Sequence, residues 1–582
     1  MDLIKRNKYL LSIFAFGIVF LLWYICVIIS TDAIRNAYYF IALVSFVSVV
    51  YLIKKRETMN YWRKESVIPS LILSFLFSLT VLLPLYHLFF PFSFIRAVRF
   101  FAAFGLSVLI FFPLCLAAFT ILDHYSIRFR MISSINNKKL FILCFACFVL
   151  VDLVFLYSSY PGILTPDSIS QIQQSLSGEY VNHHPFWHTI IISGIVHLGL
   201  VLFHDINAAI ALFSVCQILF VAASFSFITV TINQASKSKA LVWFSFFFFL
   251  ISPYNISYSA TMWKDIPFGM ATMLFTAFLY RVLFHVGGAK INYIGFIISA
   301  FLFGSWRTNG LIALIITSII LAILFFRKKS KKMLITIVSV VLITVLMNTV
   351  FFNVIGVKSA KFSEKLSIPL QQISRVIHDG NQLEDDEIEM IDKLLDYQSI
   401  PEKYKRYLSD PIKFSIDKDS DQYLKEHKLE YLNLWLRIGL RYPKEYIAAW
   451  IDQTKGYWST GYDYWRWASS VYENELGIQE CIKIPIIKEV FDNYFAYWED
   501  SFLNVLLCIG LFTNFYVFSL VYFIARKKLQ FVLTIPVLSV ILTLLIATPV
   551  YSEFRYAYSL FTCLPLLVLF LISCHKRPSK VK

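Results

Sequence analysis

Apolar runs recur along the chain, and short polar segments separate them. About 13 of these runs are long enough to cross a bilayer, since a spanning helix needs roughly 20 apolar residues. The pattern predicts an all-α polytopic membrane protein. The runs cover residues 8–30, 36–53, 67–89, 98–121, 140–158, 187–203, 207–231, 240–258, 266–285, 290–326 (one run or two), 333–356, 501–525 and 529–575 (two runs).

The composition fits a membrane protein, and the positions of the basic residues account for the net positive charge. The chain has 582 residues, of which 58% are hydrophobic and 15% charged, with a formal net charge of +16. Soluble domains are about 25% charged. The basic clusters lie directly beside apolar runs, as they do in cytoplasmic loops of membrane proteins, so we expect no nucleic-acid partner. They lie at residues 5–6, 54–56, 128–139, 327–332, 526–528 and 575–580.

These clusters predict a topology and four parts. They place both termini in the cytoplasm and residues 358–500 outside it. Counting crossings from each end of the chain gives the same topology only if the number of crossings between 187 and 357 is odd. The runs in that region can be divided in more than one way. The predicted parts are an N-terminal four-helix membrane module (1–139), a membrane core (140–357), a mostly helical extracytoplasmic domain (358–500), and C-terminal transmembrane helices with a basic tail (501–582).

The segment 160–189, "YPGILTPDSISQIQQSLSGEYVNHHPFWHT", is polar although apolar runs flank it. Thr165-Pro166 predicts the start of a short helix that ends at Gly178. One side of that helix is apolar, so we expect it to lie in the membrane interface outside the cell. Its other side and the start of the next helix carry the polar candidates Asp167, Gln171, Gln174, His183, His184 and His188.

Three hypotheses remain for this segment. In the first, Asp167 is a general base toward a hydroxyl group, and the histidines orient it or bind phosphate. In the second, Asp167, His184 and His188 hold a divalent metal, since His184 and His188 have the spacing of two ligands on one helix face. In the third, the segment is a solvated loop with an ordinary interfacial helix.

Three further segments place charges where a bilayer makes them costly. Lys264 and Asp265 lie in 258–269, Arg307 lies in 304–311, and Glu553 and Arg555 lie in 551–560. Asp265 and Glu553 are candidates for a second carboxylate, whereas Lys264, Arg307 and Arg555 are candidates for binding a lipid phosphate. Each segment is equally explained by an ordinary loop or interface anchor with Trp or snorkelling Arg. The aromatic segment 456–472 suits sugar stacking or contact with headgroups.

The motifs "PGILTPDSISQ", "HHPFWHT", "WKDIPF", "RTNG" and "IPLQQISRVI" resemble those of the GT-C superfamily of integral-membrane glycosyltransferases. The resemblance covers roughly residues 140–575, and is strongest to bacterial multi-pass proteins with a core similar to the protein O-mannosyltransferases and aminoarabinose transferases. It differs in having Ser168 where many relatives have a second acid, and His183-His184-Pro185-Phe186 where they have paired prolines.

The resemblance implies a GT-C-like helix bundle in a bacterial plasma membrane. It further implies that Asp167 is the base and that the donor is a polyprenyl-phosphate-linked sugar. We expect an inverting transfer to a cell-envelope glycan or glycolipid at the outer face, with a divalent metal left open. The alternatives are a transporter or flippase for lipid-linked saccharides, or a polymerase.

Overall fold

The computed structural model describes residues 32–55, 62–89, 93–125, 135–236 and 238–573. The predicted run at 8–30 and the basic clusters at 5–6 and 575–580 lie outside the described residues, as do parts of the clusters at 54–56 and 128–139. The described residues form helices and connecting segments, with isolated bridges as their only β-type pairing. The all-α class is therefore confirmed.

The first half of the chain forms long apolar helices. They are α1 Asp32–Lys55, α2 Lys64–Leu82, α3 Phe94–Tyr125, α4 Asn137–Ser158, α5 Pro166–Ser177, α6 Phe186–Phe203, α7 Ile206–Ser236, α8 Lys239–Ile251, α9 Pro253–Ser259, α10 Asp265–Leu283, α11 Ala289–Ser305, α12 Thr308–Arg327, α13 Lys331–Asn348 and α14 Val350–Val354.

Shorter helices build residues 358–500, and longer ones return at the end of the chain. They are α15 Ser367–His378, α16 Asp385–Asp392, α17 Ile400–Lys403, α18 Asp410–Lys413, α19 Lys418–Glu426, α20 Lys428–Arg441, α21 Pro443–Thr454, α22 Pro485–Asp500, α23 Ile509–Ala525, α24 Ile535–Ala547, α25 Tyr558–Thr562 and α26 Leu564–Ser573. Short 3₁₀ turns lie at Leu83–Leu88, Phe362–Lys365, Tyr397–Ser399, Lys455–Tyr457, Phe502–Leu507, Leu529–Leu533 and Phe554–Ala557.

The chain is a multi-pass membrane protein. Within the described residues, nine helices are long and apolar enough to cross a bilayer, and the pair α8–α9, bent by 54°, makes up to ten. The run at 290–326 is two helices, because the chain turns at Trp306-Arg307 between α11 and α12. The run at 529–575 is likewise divided, between α24 and the span Phe554–Ser573.

The two ends of the helix bundle are identified by contacts between helix ends. We call the end that carries residues 358–500 the domain face, and the other end the far face. At the far face the Asn233 side chain at the end of α7 donates to the Ile135 carbonyl beside the start of α4. At the domain face the Asn348 side chain at the end of α13 donates to the Gly304 carbonyl of α11.

Helix α6 has the length and composition of a spanning helix, but both of its ends lie at the domain face. Near its start, Trp187 donates to the Asn348 side chain. Just beyond its end, Asn207 accepts from the backbone of Gln479 in residues 358–500. Its buried residues Ile192 and Val196 pack in one cluster with Ile169 of α5. Counting run 187–203 as a crossing is therefore wrong.

This placement also corrects the expected parity. Six passes connect α7 to α14: α7, α8 with α9, α10, α11, α12, and α13 with α14. The segment starts and ends at the domain face, which requires an even number of crossings, so the odd number is wrong.

The N-terminal helices are packed onto the rest of the bundle. Buried residues of α2, α3 and α4 share one hydrophobic core with α10, α23 and α26. At the far face Arg526 pairs with Asp123 of α3. At the domain face Tyr86, which follows α2, donates to Asp452 of α21 at 2.8 Å, and Arg375 of α15 binds the same carboxylate at 2.7 Å.

The placement of α6 predicts which loops share a side of the membrane. In a Cys481→Ser background, His204→Cys and Glu475→Cys are expected to react with an impermeant maleimide from the same side, because both residues are exposed at the domain face. Lys290→Cys, exposed at the far face, is the control that reacts only from the other side. Labelling of His204→Cys together with Lys290→Cys would show that α6 crosses the membrane.

Candidate functional site

Helix α5 is held in place by its own first turn. The backbone of Gly162 has φ +132°, and a Cβ there would lie 2.4 Å from the Ser214 hydroxyl, so only glycine suits this turn. Ser168 accepts from the Thr165 backbone at 3.0 Å and donates to the Met262 carbonyl at 2.7 Å. Trp263 donates to the Thr165 hydroxyl at 2.8 Å. These hydrogen bonds fix the start of α5 against the start of α10. The helix begins where the sequence predicts it, at Thr165-Pro166.

The structure brings the six charged candidates together in one network at the domain face. They come from four separate segments: Asp167 on α5, Lys264 and Asp265 at the start of α10, Arg307 before α12, and Glu553 and Arg555 before α25. Three are carboxylates and three are cations. Such an alternation is what a poorly solvated site needs, because an unpaired charge there is costly.

Arg555 is the centre of this network. Its guanidinium donates to Asp167 at 2.9 Å and to Glu553 at 3.0 Å, and it lies 4.0 Å from Asp265. Lys264 lies 3.7 Å from the same oxygen of Asp167 that Arg555 binds. Asp167 is thus shared by two cations.

Arg307 completes the network at its buried side. It lies 3.0 Å from a carboxylate oxygen of Asp265 and donates to the Tyr556 carbonyl at 3.3 Å. The Asp265 side chain has no exposed surface, and neither of its oxygens accepts a hydrogen bond of normal geometry from the described part of the chain. Its stability in the ionised form therefore depends on the charges of Arg307 and Arg555.

Asp167 is the member of the network that solvent reaches. Its side chain is 31% exposed, whereas those of Lys264 and Arg555 are 14% and 11% exposed and that of Glu553 is 4% exposed. A molecule arriving from the domain face would meet Asp167 first, with its two cations directly behind it.

The environment separates the pKa values of the two outer carboxyls. Burial raises the pKa of Asp167, but the charges of Lys264, Arg555 and His184 and the bond from Arg555 bring it well below its ordinary range. Burial raises the pKa of Glu553 to about 7, and the opposing charge of Arg555 only partly offsets this. Asp167 is ionised at neutral pH, and Glu553 is close to half protonated.

His184 supports Lys264. Burial and the charge of Lys264 lower the pKa of His184 to about 2, so its ring is neutral and Nδ1 can accept a hydrogen bond. The Lys264 ammonium lies 3.1 Å from that nitrogen. Burial also lowers the pKa of Lys264, although Asp167 and Asp265 oppose the shift. His183 lies against His184, with 4.7 Å between ring centroids.

The remaining polar candidates are placed away from the network. Gln171 binds the His188 ring at 3.0 Å and the Thr189 hydroxyl at 2.9 Å, so it joins α5 to α6. Gln174 accepts from the backbone of Val181 at 2.9 Å. The amides of both glutamines are therefore used in holding α5 to its neighbours.

The positions of the described side chains do not support the metal hypothesis. Within the described residues, no group of three or more His, Cys, Asp or Glu side chains is arranged to hold a metal ion. Of the three ligands considered, His188 bonds to Gln171 and His184 to Lys264, so the structure does not bring them to a common point with Asp167.

Two aromatic rings lie against the guanidinium groups of the network. Trp263, considered an interface anchor, is 1% exposed and lies 4.8 Å from the Arg555 guanidinium. Tyr556, one of the tyrosines of the 551–560 segment, has its ring 4.2 Å from the Arg307 guanidinium. The signal was available, because Tyr556 directly follows Arg555 and aromatic faces attract guanidinium groups.

The "IPLQQISRVI" motif forms α15 and positions the network from a distance. Gln371 donates to Gln453 of α21 at 3.1 Å, and Gln453 donates to the Pro549 carbonyl at 2.6 Å. Pro549 begins the segment that leads to Glu553 and Arg555. The motif therefore supports the site through α21 without contacting the charged side chains.

Comparisons with known proteins give one match. The model of a family of unknown function, DUF6020, matches residues 173–582, which is more than two thirds of the chain. The matched region begins within α5, after Asp167, and includes the other five charged residues of the network. Neither the curated proteins nor the solved structures gave a match.

The raised pKa of Glu553 predicts a pH dependence of stability. The unfolded chain releases this proton near pH 4.5 and the folded chain near pH 7, so the stabilisation is complete below 4.5 and is lost as the pH rises through 7. The difference in free energy of unfolding between the wild type and Glu553→Gln should fall by about 3 kcal/mol over this window. Thermal unfolding in detergent between pH 4.5 and 7.5 measures it. Glu475→Gln, an exposed carboxyl, should keep the wild-type slope; a parallel Glu553→Gln curve would contradict the assignment.

Removing Arg307 should expose the dependence of Asp265 on its cation. Arg307→Met leaves a buried carboxylate with one distant cation, so we expect a loss of about 3–5 kcal/mol of stability. Arg307→Met with Asp265→Asn should recover most of it. Lys358→Met is the matched control: it breaks the exposed Lys358–Glu179 pair, for which we expect no measurable loss of stability. If Asp265→Asn gives no recovery, the two side chains do not act as a pair.

Proposed function

We propose a function for this chain, which belongs to the DUF6020 family of unknown function: it is a membrane glycosyltransferase that uses a lipid-phosphate-linked sugar. The observation that carries the proposal is the partly exposed carboxylate of Asp167 directly in front of Lys264 and Arg555. A carboxylate can take a proton from a hydroxyl group, and two cations can hold a phosphate. Group transfer from a phosphate to a hydroxyl needs both, side by side.

The donor is proposed to be a sugar on a polyprenyl phosphate. Its phosphate would bind Lys264 and Arg555, and its tail would lie along the apolar helices. Such a donor suits a site at one end of a transmembrane bundle, because a lipid tail is retained in the bilayer while the sugar projects from it. The acceptor is a hydroxyl group of a cell-envelope glycan or glycolipid.

The reaction is a single displacement. The acceptor oxygen attacks the anomeric carbon, and the bond from that carbon to the phosphate oxygen breaks. The electron pair leaves with the phosphate, which gains negative charge that Lys264 and Arg555 stabilise. Asp167 takes the acceptor proton, and the configuration at the anomeric carbon is inverted.

The same two cations regulate the strength of the base. In the free protein they lower the pKa of Asp167, which makes it a weak base. When a donor phosphate binds Lys264 and Arg555, it neutralises their charge and adds its own, and both effects raise the pKa of the carboxyl. Asp167 thus becomes a stronger base only when the donor is bound, which limits proton transfer to the complete complex.

The orientation follows from the basic clusters. We propose that the domain face, which carries the site, is outside a bacterial plasma membrane and that the far face is cytoplasmic. The His184 ring keeps Lys264 beside Asp167 and is a positioning residue.

Asp167→Asn should abolish the activity and leave the fold intact. The amide cannot accept the acceptor proton, so we expect a loss of at least about 100-fold, the usual contribution of a general base. Sugar analysis of the envelope from cells that express each variant measures the loss, alongside the amount of protein in the membrane. Asp205→Asn, an exposed carboxyl at the domain face, is the control.

Normal envelope sugars with Asp167→Asn at wild-type protein levels would overturn the proposal. Lys264→Gln and Arg555→Gln should weaken use of the donor, since each removes a phosphate contact. If they instead abolish transport of a lipid-linked saccharide with no transfer of sugar, a flippase is the better assignment.

A further inference from the structure

Residues 358–500 enclose an apolar cavity that the proposed function does not use. It has a volume of about 360 Å³ and lies between α15, α16, α19 and α20. Its floor is the interior of the domain: Ile400 and Leu434 are 1% exposed and Leu424 is 2% exposed. Ligand sites are typically pockets of about 300–1,000 Å³ with mainly apolar walls.

The two aromatic side chains with polar atoms that line this cavity already have hydrogen-bond partners. The Tyr431 hydroxyl donates to the Met390 carbonyl at 2.8 Å, and the Trp435 indole donates to Gln372 at 2.9 Å. Both side chains therefore present apolar surface to the cavity. A cavity with such walls excludes water and binds apolar molecules. The buried part of a ligand would need no hydrogen-bonding groups, which describes an aliphatic chain.

The cavity opens along α20. Leu429 and Leu432 line it and are 72% and 49% exposed, so they lie at its mouth. Leu436 and Leu440 continue the same face of α20 and are 47% and 84% exposed. This row of leucines gives an aliphatic chain an apolar path to the mouth. Lys428 is the charged residue of the lining, is exposed, and precedes Leu429.

We propose that this cavity binds one aliphatic chain of an anionic lipid, with the lipid phosphate beside Lys428. The chain would replace the empty volume with contacts to the floor residues, which interiors of folded proteins normally require. The lipid is either a bilayer phospholipid or a polyprenyl phosphate, since both combine an apolar chain with a phosphate. The proposal is separate from catalysis and can hold or fail independently of it.

Photo-crosslinking of the full-length protein in nanodiscs tests the proposal. One sample contains phosphatidylglycerol with a diazirine near the end of an acyl chain, and another contains a diazirine-bearing polyprenyl phosphate. We expect adducts in the peptides that carry Ile373, Leu394 and Leu424. Adducts from the first probe identify a bilayer lipid and adducts from the second identify the polyprenyl carrier. Adducts confined to the transmembrane helices with both probes would overturn the proposal.

Variants that fill the cavity make the test specific. Leu394→Trp and, as a milder change, Ile373→Phe should each reduce labelling of these peptides at least ten-fold. Ile447→Trp adds the same ring at an exposed position outside the lining and the leucine row, and should not reduce it. Lys428→Gln should reduce labelling by phosphatidylglycerol but not by a matched diacylglycerol probe, which lacks the phosphate. Equal effects on both probes would remove the role assigned to Lys428.

Discussion

The arrangement of the domain face depends on the mutual neutralisation of three carboxylates and three cations. Asp265 has no exposed surface and Glu553 is nearly buried, so both depend on the guanidinium groups beside them. The cations in turn need the carboxylates, because Arg307 and Arg555 are only 11% exposed. Removing one buried member leaves an uncompensated charge, which costs more than the whole pair contributes. The four segments that supply these residues are therefore fixed relative to one another.

Much of this site could be predicted from the sequence alone. A charge beside a long apolar run is costly, so each of the six charged residues was visible by itself. Which charge pairs with which was not visible, since Arg307 and Asp265 belong to helices separated by α11. The partners of Gln171 and Gln174 were not visible either, because the helical period gives the face of a helix but not the neighbour that covers it.

The fold, like the site, could be predicted only in part. Hydropathy identified the helices, including the break at Trp306-Arg307, because spanning a bilayer requires an apolar run of a certain length. It could not separate α6 from a spanning helix, since a helix that packs along one end of a bundle needs the same length and apolar surface. Nor could it find the cavity, because residues that line a void and residues that fill a core have the same pattern of polarity.

The Lys358–Glu179 pair joins the segment after α5 to the start of residues 358–500, and its two side chains are 65% and 73% exposed. The screening length of the solution falls from about 10 Å at 0.1 M ionic strength to about 3 Å at 1 M, so concentrated salt screens this exposed pair, whereas the buried Asp265 is screened much less. Concentrated salt thus weakens the outer connection and leaves the inner charges paired. Varying the ionic strength therefore separates the contribution of the Lys358–Glu179 pair from that of the buried charges around Asp265, without any substitution.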